Sequence, residues 1–137
     1  MSVELNRRVD WPMIDPAQVV YYPVYWDLAH RFFEESWEEI CGISYPIIIH
    51  EHRLGFPAVS TSSTHHSPLR YGDTVHCRLW VSKVGKSSTD WNYSFTDQTG
   101  RLVWTGEVTT VCVDLDSFES VEIPPIFADA LRKCSEN

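Results

Sequence analysis

Apolar residues recur at helical spacing over one stretch of this chain and alternate over most of the rest. Between Val24 and Cys41, the residues Tyr25, Leu28, Ala29, Phe32, Phe33, Ser36 and Ile40 fall on one stripe, while Asp27, Arg31, Glu34 and Glu38 face the other way. That spacing predicts one long helix with a buried face. Pro23 suits its first turn, because a proline has no N–H to leave unpaired there, and Gly42 is well placed to end it. Trp26, His30 and Trp37 form a third strip on the helix shoulder. Two readings of that strip are open: packing against a neighbouring sheet or subunit, or a wall facing a ligand.

After Gly42 the period changes from helical to two. Phe56 to Ser67, Thr74 to Val84, Ser87 to Thr96 and Arg101 to Asp114 are predicted as strands, the clearest alternation being Thr89, Trp91, Tyr93 and Phe95 against Asp90, Asn92, Ser94 and Thr96. Tyr71-Gly72-Asp73, Gly85 and Gln98-Thr99-Gly100 supply turns at short intervals, so consecutive antiparallel hairpins are the simplest connection. A last short helix is expected from Pro125 to Cys134 and a short strand at the N-terminus. The sum is an α+β domain in which a curved antiparallel sheet wraps one long central helix.

Composition narrows the function classes. The chain has 137 residues, 43% hydrophobic and 13% aromatic, which suits one folded domain over residues 1–137. Eleven Lys and Arg against nineteen Asp and Glu leave a net charge of -8, which disfavours a nucleic-acid partner. No apolar run approaches the ~20 residues that span a bilayer, and Met1 to Arg8 lack a signal-peptide core, so no membrane partner and a cytoplasmic location are expected. The four cysteines show no CxxC pair and are expected to be reduced and mostly buried. His50-Glu51-His52, expected on a strand, and His65-His66 form no convergent ligand set, and no HExxH is present, so no metal is expected.

The candidate chemistry lies in Asp15 to Arg31, DPAQVVYYPVYWDLAHR. This segment, with the Pro68-Leu69-Arg70-Tyr71-Gly72-Asp73 turn and the strands after it, resembles the 4-hydroxybenzoyl-CoA thioesterase family of hotdog-fold proteins. The resemblance implies a hotdog fold and hydrolysis of an acyl-CoA thioester without a metal or redox cofactor. It implies that Asp15 is the catalytic carboxylate, that the backbone N–H of Tyr22 polarises the thioester carbonyl, and that Lys86 contacts the CoA phosphates. It further implies a homo-oligomer, a dimer at least and a tetramer by expectation, with sites at the interface.

The residues support these roles on their own terms. An N–H at a helix start has no partner within the helix, and the helix dipole favours negative charge at that end. Tyr22 precedes Pro23, so its N–H is free to meet a developing oxyanion. A carboxylate seven residues earlier could attack the same carbonyl or activate water; as Asp-Pro it could equally be a turn residue. Trp26 and His30 are expected to wall the acyl group. Three positions depart from the family pattern: Gln18 stands where a Gly is usual, His30 where an acid is usual, and Glu119 where a phosphate-binding Arg is expected. Glu34, Glu35, Glu38 and Glu39, like a base used by another hotdog clade, are expected to be a solvated face. The expected function is therefore an acyl-CoA thioesterase acting on an aromatic or short acyl group, with a non-catalytic acyl-CoA-binding protein as the alternative and a hydratase of the same fold behind both.

Overall fold

The computed structural model describes residues 1–135. The elements run β1 (Val3–Arg8), α1 (Tyr22–Cys41), α2 (Tyr45–His50), β2 (Leu54–Gly55), β3 (Ala58–His65), β4 (Thr74–Val84), β5 (Ser88–Thr96), β6 (Leu102–Val111), β7 (Val113–Asp114) and α3 (Pro125–Ser135). Pro23 occupies the first turn of α1, and Gly42 ends it at φ 72°, where its N–H closes on the Glu38 carbonyl at 2.8 Å. A left-handed residue at that position lets the chain turn away while a terminal carbonyl is still satisfied.

Five strands form one antiparallel sheet in the order β1-β4-β5-β6-β3. The predicted run of consecutive hairpins therefore holds for β4, β5 and β6 but not for β3. That strand pairs with β6, Thr61 opposite Val108 and His65 opposite Trp104, so the link to β4 crosses from one side of the sheet to the other. Turn chemistry at Tyr71-Gly72-Asp73 specifies a bend; it does not specify which strand the chain meets next. The last predicted strand also breaks, at Cys112, and its remnant β7 pairs with β2 as a separate ladder.

The inward face of the sheet and the apolar stripe of α1 make the core, with Trp91, Phe95 and Trp104 from the strands meeting Leu28 and Phe32 from the helix. Trp37 joins them at 0% exposure, so it does not extend the shoulder of Trp26 and His30. The reason is local: α2 and α3 cover the second half of α1, and Trp37 meets Tyr45, Phe56, Trp91 and Phe127 there. Helix α2 was not foreseen, because its apolar run Tyr45-Pro46-Ile47-Ile48-Ile49 is too short to show a period. It ends at His50, with Glu51 and His52 in the turn after it, so the expected strand pairing of the two imidazoles does not form. All four cysteines are unbridged, three buried and Cys41 partly so. Burial pushes the Cys112 thiol up to about 11 and Cys77 higher still.

Gly106 is a close-approach position. A Cβ there would lie 2.4 Å from Cη2 of Trp104, so a glycine in the strand is what lets the indole lie flat along the sheet. Trp104 in turn meets Trp26 edge-on, ring centroids 5.0 Å apart, and stacks against Tyr25 at 6.1 Å. A glycine in β6 thereby sets the position of the first aromatic turn of α1.

Candidate active site

Asp15 sits in a tight hairpin that precedes α1. Ile14 and Val20 pair across it, the Asp15 N–H donates to the Val19 carbonyl at 2.9 Å, and the Gln18 N–H donates to the Asp15 carbonyl at 2.9 Å. One carboxylate oxygen, Oδ1, accepts from the Ala17 N–H at 2.9 Å. The turn role and the chemical role coexist, since Oδ2 accepts no hydrogen bond among the described residues and the side chain is half-buried. Gln18 adopts φ 66°, so the left-handed turn that a glycine would make freely is kept with a side chain in place.

The N–H of Tyr22 is the first of α1. Tyr21, in extended conformation, precedes it; the Tyr21 N–H donates to Met13 and the Val24 N–H to Tyr21, both at 2.9 Å, but the Tyr22 N–H has no acceptor among the described residues. The hairpin is strapped to the same helix. Val20 N–H donates to the Leu69 carbonyl at 2.9 Å, and Leu69 N–H donates to the Tyr25 hydroxyl at 3.2 Å. Burial raises the Tyr25 phenol above its usual value, the Leu69 N–H offsets part of that, and the negative charge of Asp15 adds to it. His65 lies edge-on to Tyr25, centroids 5.1 Å apart. The sequence offered no route to Tyr25 as part of this arrangement, since Leu69 is 44 residues away.

Trp26 and His30 meet at a cavity of about 350 Å³, with Ala29 and Phe33 beside them on α1, Phe56, Ala58 and Thr61 at the sheet edge, and Tyr93, Val108 and Thr110 on the floor. That volume lies within the ~300–1,000 Å³ typical of small-molecule sites. His30, Ala58 and Thr61 are exposed, which places the mouth along β3. His30 Nε2 is 3.6 Å from Glu34 Oε2, and Thr110 Oγ1 accepts from the Trp91 indole at 2.9 Å. The floor residues were missed in the sequence as site residues, although the alternation that set Trp91, Tyr93 and Phe95 on one face carried the signal.

Asp15 and Tyr22 do not line this cavity; Tyr22 lies one helical turn before Trp26. Lys86 is in neither place. It is exposed in the turn between β4 and β5, without an ion pair among the described residues, and its carbonyl accepts from Ile123 at 2.9 Å. The Asp15 hairpin docks through Val20 on Leu69, and Val9 ahead of it pairs with Asp73, both in the segment leading into the Thr74 end of β4, so Lys86 and Asp15 stand at opposite ends of an 11-residue strand. Glu119 is likewise exposed, in the turn after β7. The helix acids are solvent-facing, with Glu35 paired to Arg7. Among the described residues, no three His, Cys, Asp or Glu side chains converge as metal ligands, and no helix is long and apolar enough to cross a membrane.

The fold recurs among solved structures. A 1,4-dihydroxy-2-naphthoyl-CoA thioesterase from Synechocystis superposes with a TM-score of 0.87 over 100% of both chains at 20% identity. A gentisyl-coenzyme A thioesterase does so with a TM-score of 0.83 at 23% identity, over 90% of this chain and 98% of that one. In sequence, the chain is 29% identical over 125 residues to a 1,4-dihydroxy-2-naphthoyl-CoA hydrolase of Nostoc punctiforme, covering 90% of this chain and 82% of the relative. The sheet wrapped on one helix is thus the hotdog fold that the sequence led us to expect. With residues 9–131 matching its family model, a span from the end of β1 into α3, the chain belongs to the thioesterase-like superfamily.

Proposed function

We propose that this protein is an acyl-CoA thioesterase whose substrate carries a flat, aromatic acyl group, and that its machinery is of the 4-hydroxybenzoyl-CoA thioesterase kind. The observation that carries the reading is the pairing of a half-buried carboxylate, Asp15, with an unclaimed helix-start N–H, Tyr22, held on one strapped loop. In the reaction the thioester oxygen accepts from the Tyr22 N–H while Asp15 either attacks the carbonyl carbon or takes a proton from the attacking water. The C–S bond breaks and CoA leaves as the thiol, taking up a proton; where Asp15 has attacked, water then cleaves the acyl–Asp15 anhydride, and by either course the acyl group leaves as the carboxylate. The Trp26 and His30 cavity begins one turn along the helix from the Tyr22 N–H, which supports its receiving the ring. The named relatives act on hydroxylated aromatic thioesters, which favours that class here.

Residues 1–137 act, in this reading, as one catalytic domain of a cytoplasmic enzyme, and a second copy completes the site. Strand β4 spans about 33 Å at ~3.3 Å per residue, too far for Lys86 and Asp15 of one copy to share one ligand comfortably. β3 is an edge strand exposed along all 8 residues. Antiparallel pairing of two β3 edges about a two-fold axis sets the His65 end of one against the Ala58 end of the other, which carries a second copy's Lys86 turn toward the Asp15 end.

A panel of aryl- and alkyl-CoA thioesters with a free-thiol readout tests the activity. Turnover of aryl thioesters is expected, and Asp15→Asn is expected to lower kcat by at least ~100-fold with the fold intact. Near-normal kcat in that variant would remove Asp15 from the mechanism; ligand binding with no turnover of any thioester would favour the non-catalytic binding protein.

A further inference from the structure

Among the side chains around the cavity, Tyr93 stands out by what it lacks. It is 3% exposed, on the inward face of β5, and its hydroxyl has no hydrogen-bond partner among the described residues. The other tyrosine hydroxyls of the core are used: Tyr25 accepts from Leu69 and Tyr45 accepts from Phe56, each at 3.2 Å. Nor is the Tyr93 oxygen sealed in. The fully enclosed side-chain polar atoms left without a partner are Trp37 Nε1, Thr89 Oγ1 and Trp104 Nε1, and Tyr93 Oη is not among them. Tyr93 lines the cavity from the inward face of β5, and its hydroxyl is neither enclosed nor bonded among the described residues, so a cavity occupant is the partner left to it. If the position required only bulk, phenylalanine would fill it, as Phe95 does at the next inward position of the same strand.

We infer that Tyr93 is a specificity-determining residue that hydrogen-bonds a ring hydroxyl of the acyl group, opposite His30 on the helix side of the same cavity. The inference rests on the acyl-CoA reading above and adds a residue and a ring substituent to it. A phenol both donates and accepts, so it can pair with a substrate hydroxyl in either sense. Burial keeps the Tyr93 phenol protonated well beyond its ordinary range, so the donor is present throughout the working pH. A site built around a buried hydroxyl discriminates strongly against a ligand that leaves it unpaired, whereas an all-apolar pocket scarcely distinguishes an added hydroxyl.

The test compares Tyr93→Phe with wild type on benzoyl-CoA and 2-naphthoyl-CoA and on their monohydroxylated counterparts, with melting temperatures measured alongside. The variant keeps the ring, so the core stays filled. Expected is a fall of at least about tenfold in the ratio of kcat/KM for a hydroxylated substrate to that for its unsubstituted partner. An equal fall for both members of each pair would make Tyr93 a packing residue and overturn the inference, as would no change in either. If wild type turns over none of these thioesters, the thioesterase reading fails separately. Calorimetry with 2-naphthoate and its hydroxylated acids then decides the inference: hydroxyl-selective binding lost in Tyr93→Phe upholds it, and its absence overturns it.

Discussion

Tyr25 does at the residue scale what no local motif reveals. Its hydroxyl accepts the Leu69 N–H, and Leu69 in turn holds Val20, so Asp15 and the Tyr22 N–H are fixed to each other through one phenol. Tyr25→Phe leaves a buried N–H unpaired, at a cost of about 1–3 kcal/mol. The expected result is a lower melting temperature and a lower kcat at unchanged KM; a normal kcat would show that the strap does not set the geometry of Asp15. Gln18 makes a second case. Its φ of 66° is strained for a residue with a side chain, so Gln18→Gly is expected to be neutral or stabilising by up to about 1 kcal/mol, read by thermal melting, with turnover unchanged. Asp15 and Tyr22 were open to proposal from the sequence because they lie within the eight residues that begin the segment carrying the family resemblance. Tyr25 and Tyr93 were not, because what matters about them is a partner, or a missing one, brought by chain folding.

Elements were legible where a period ran long enough. Helix α1 and strands β4 to β6 follow from spacing and turn residues, whereas the crossing of β3 follows from contacts that no local pattern records. The β5–β6 hairpin shows how much one turn residue can hold. Asp97 Oδ1 accepts from Thr99 N–H at 2.9 Å, Thr99 Oγ1–H at 2.6 Å and Arg101 N–H at 3.1 Å, and Oδ2 accepts from Arg101 Nε at 3.1 Å. The Thr99 hydroxyl above all, with the backbone N–H groups and Arg101, holds the Asp97 carboxyl below its usual value. A depressed folded pKa gives stability that is present above the unfolded value of about 3.9 and is lost as pH falls through the folded one. The melting-temperature gap between wild type and Asp97→Asn should therefore be widest at neutral pH and narrow below about pH 4. A gap constant from pH 7 to pH 3 would show that the ionised carboxylate is not what the hairpin uses.

At the scale of the whole molecule, the proposed assembly would turn on the exposed edge of β3, Ala58–His65, which contains neither a proline nor a lysine, residues that commonly guard such edges. In an antiparallel edge strand alternate N–H groups point outward, so one of the neighbours Ser62 and Ser63 presents its N–H away from β6. A proline at the outward position removes a donor from pairing between copies without touching the ladder to β6. Light scattering on Ser62→Pro and Ser63→Pro is expected to show one folded variant with reduced mass and reduced turnover. If both folded variants keep the wild-type mass, the copies do not meet through β3.

The contact between Trp26 and Trp104 has an optical consequence. Trp37, Trp91 and Trp104 are wholly enclosed, while Trp26 is half-buried on the cavity wall and meets Trp104 edge-on. An occupant of the cavity therefore changes the surroundings of Trp26, while the exposed Trp11, the half-buried Trp80 and the three enclosed indoles lie outside the cavity lining. Emission from this protein carries its own signal of cavity filling, with no label attached.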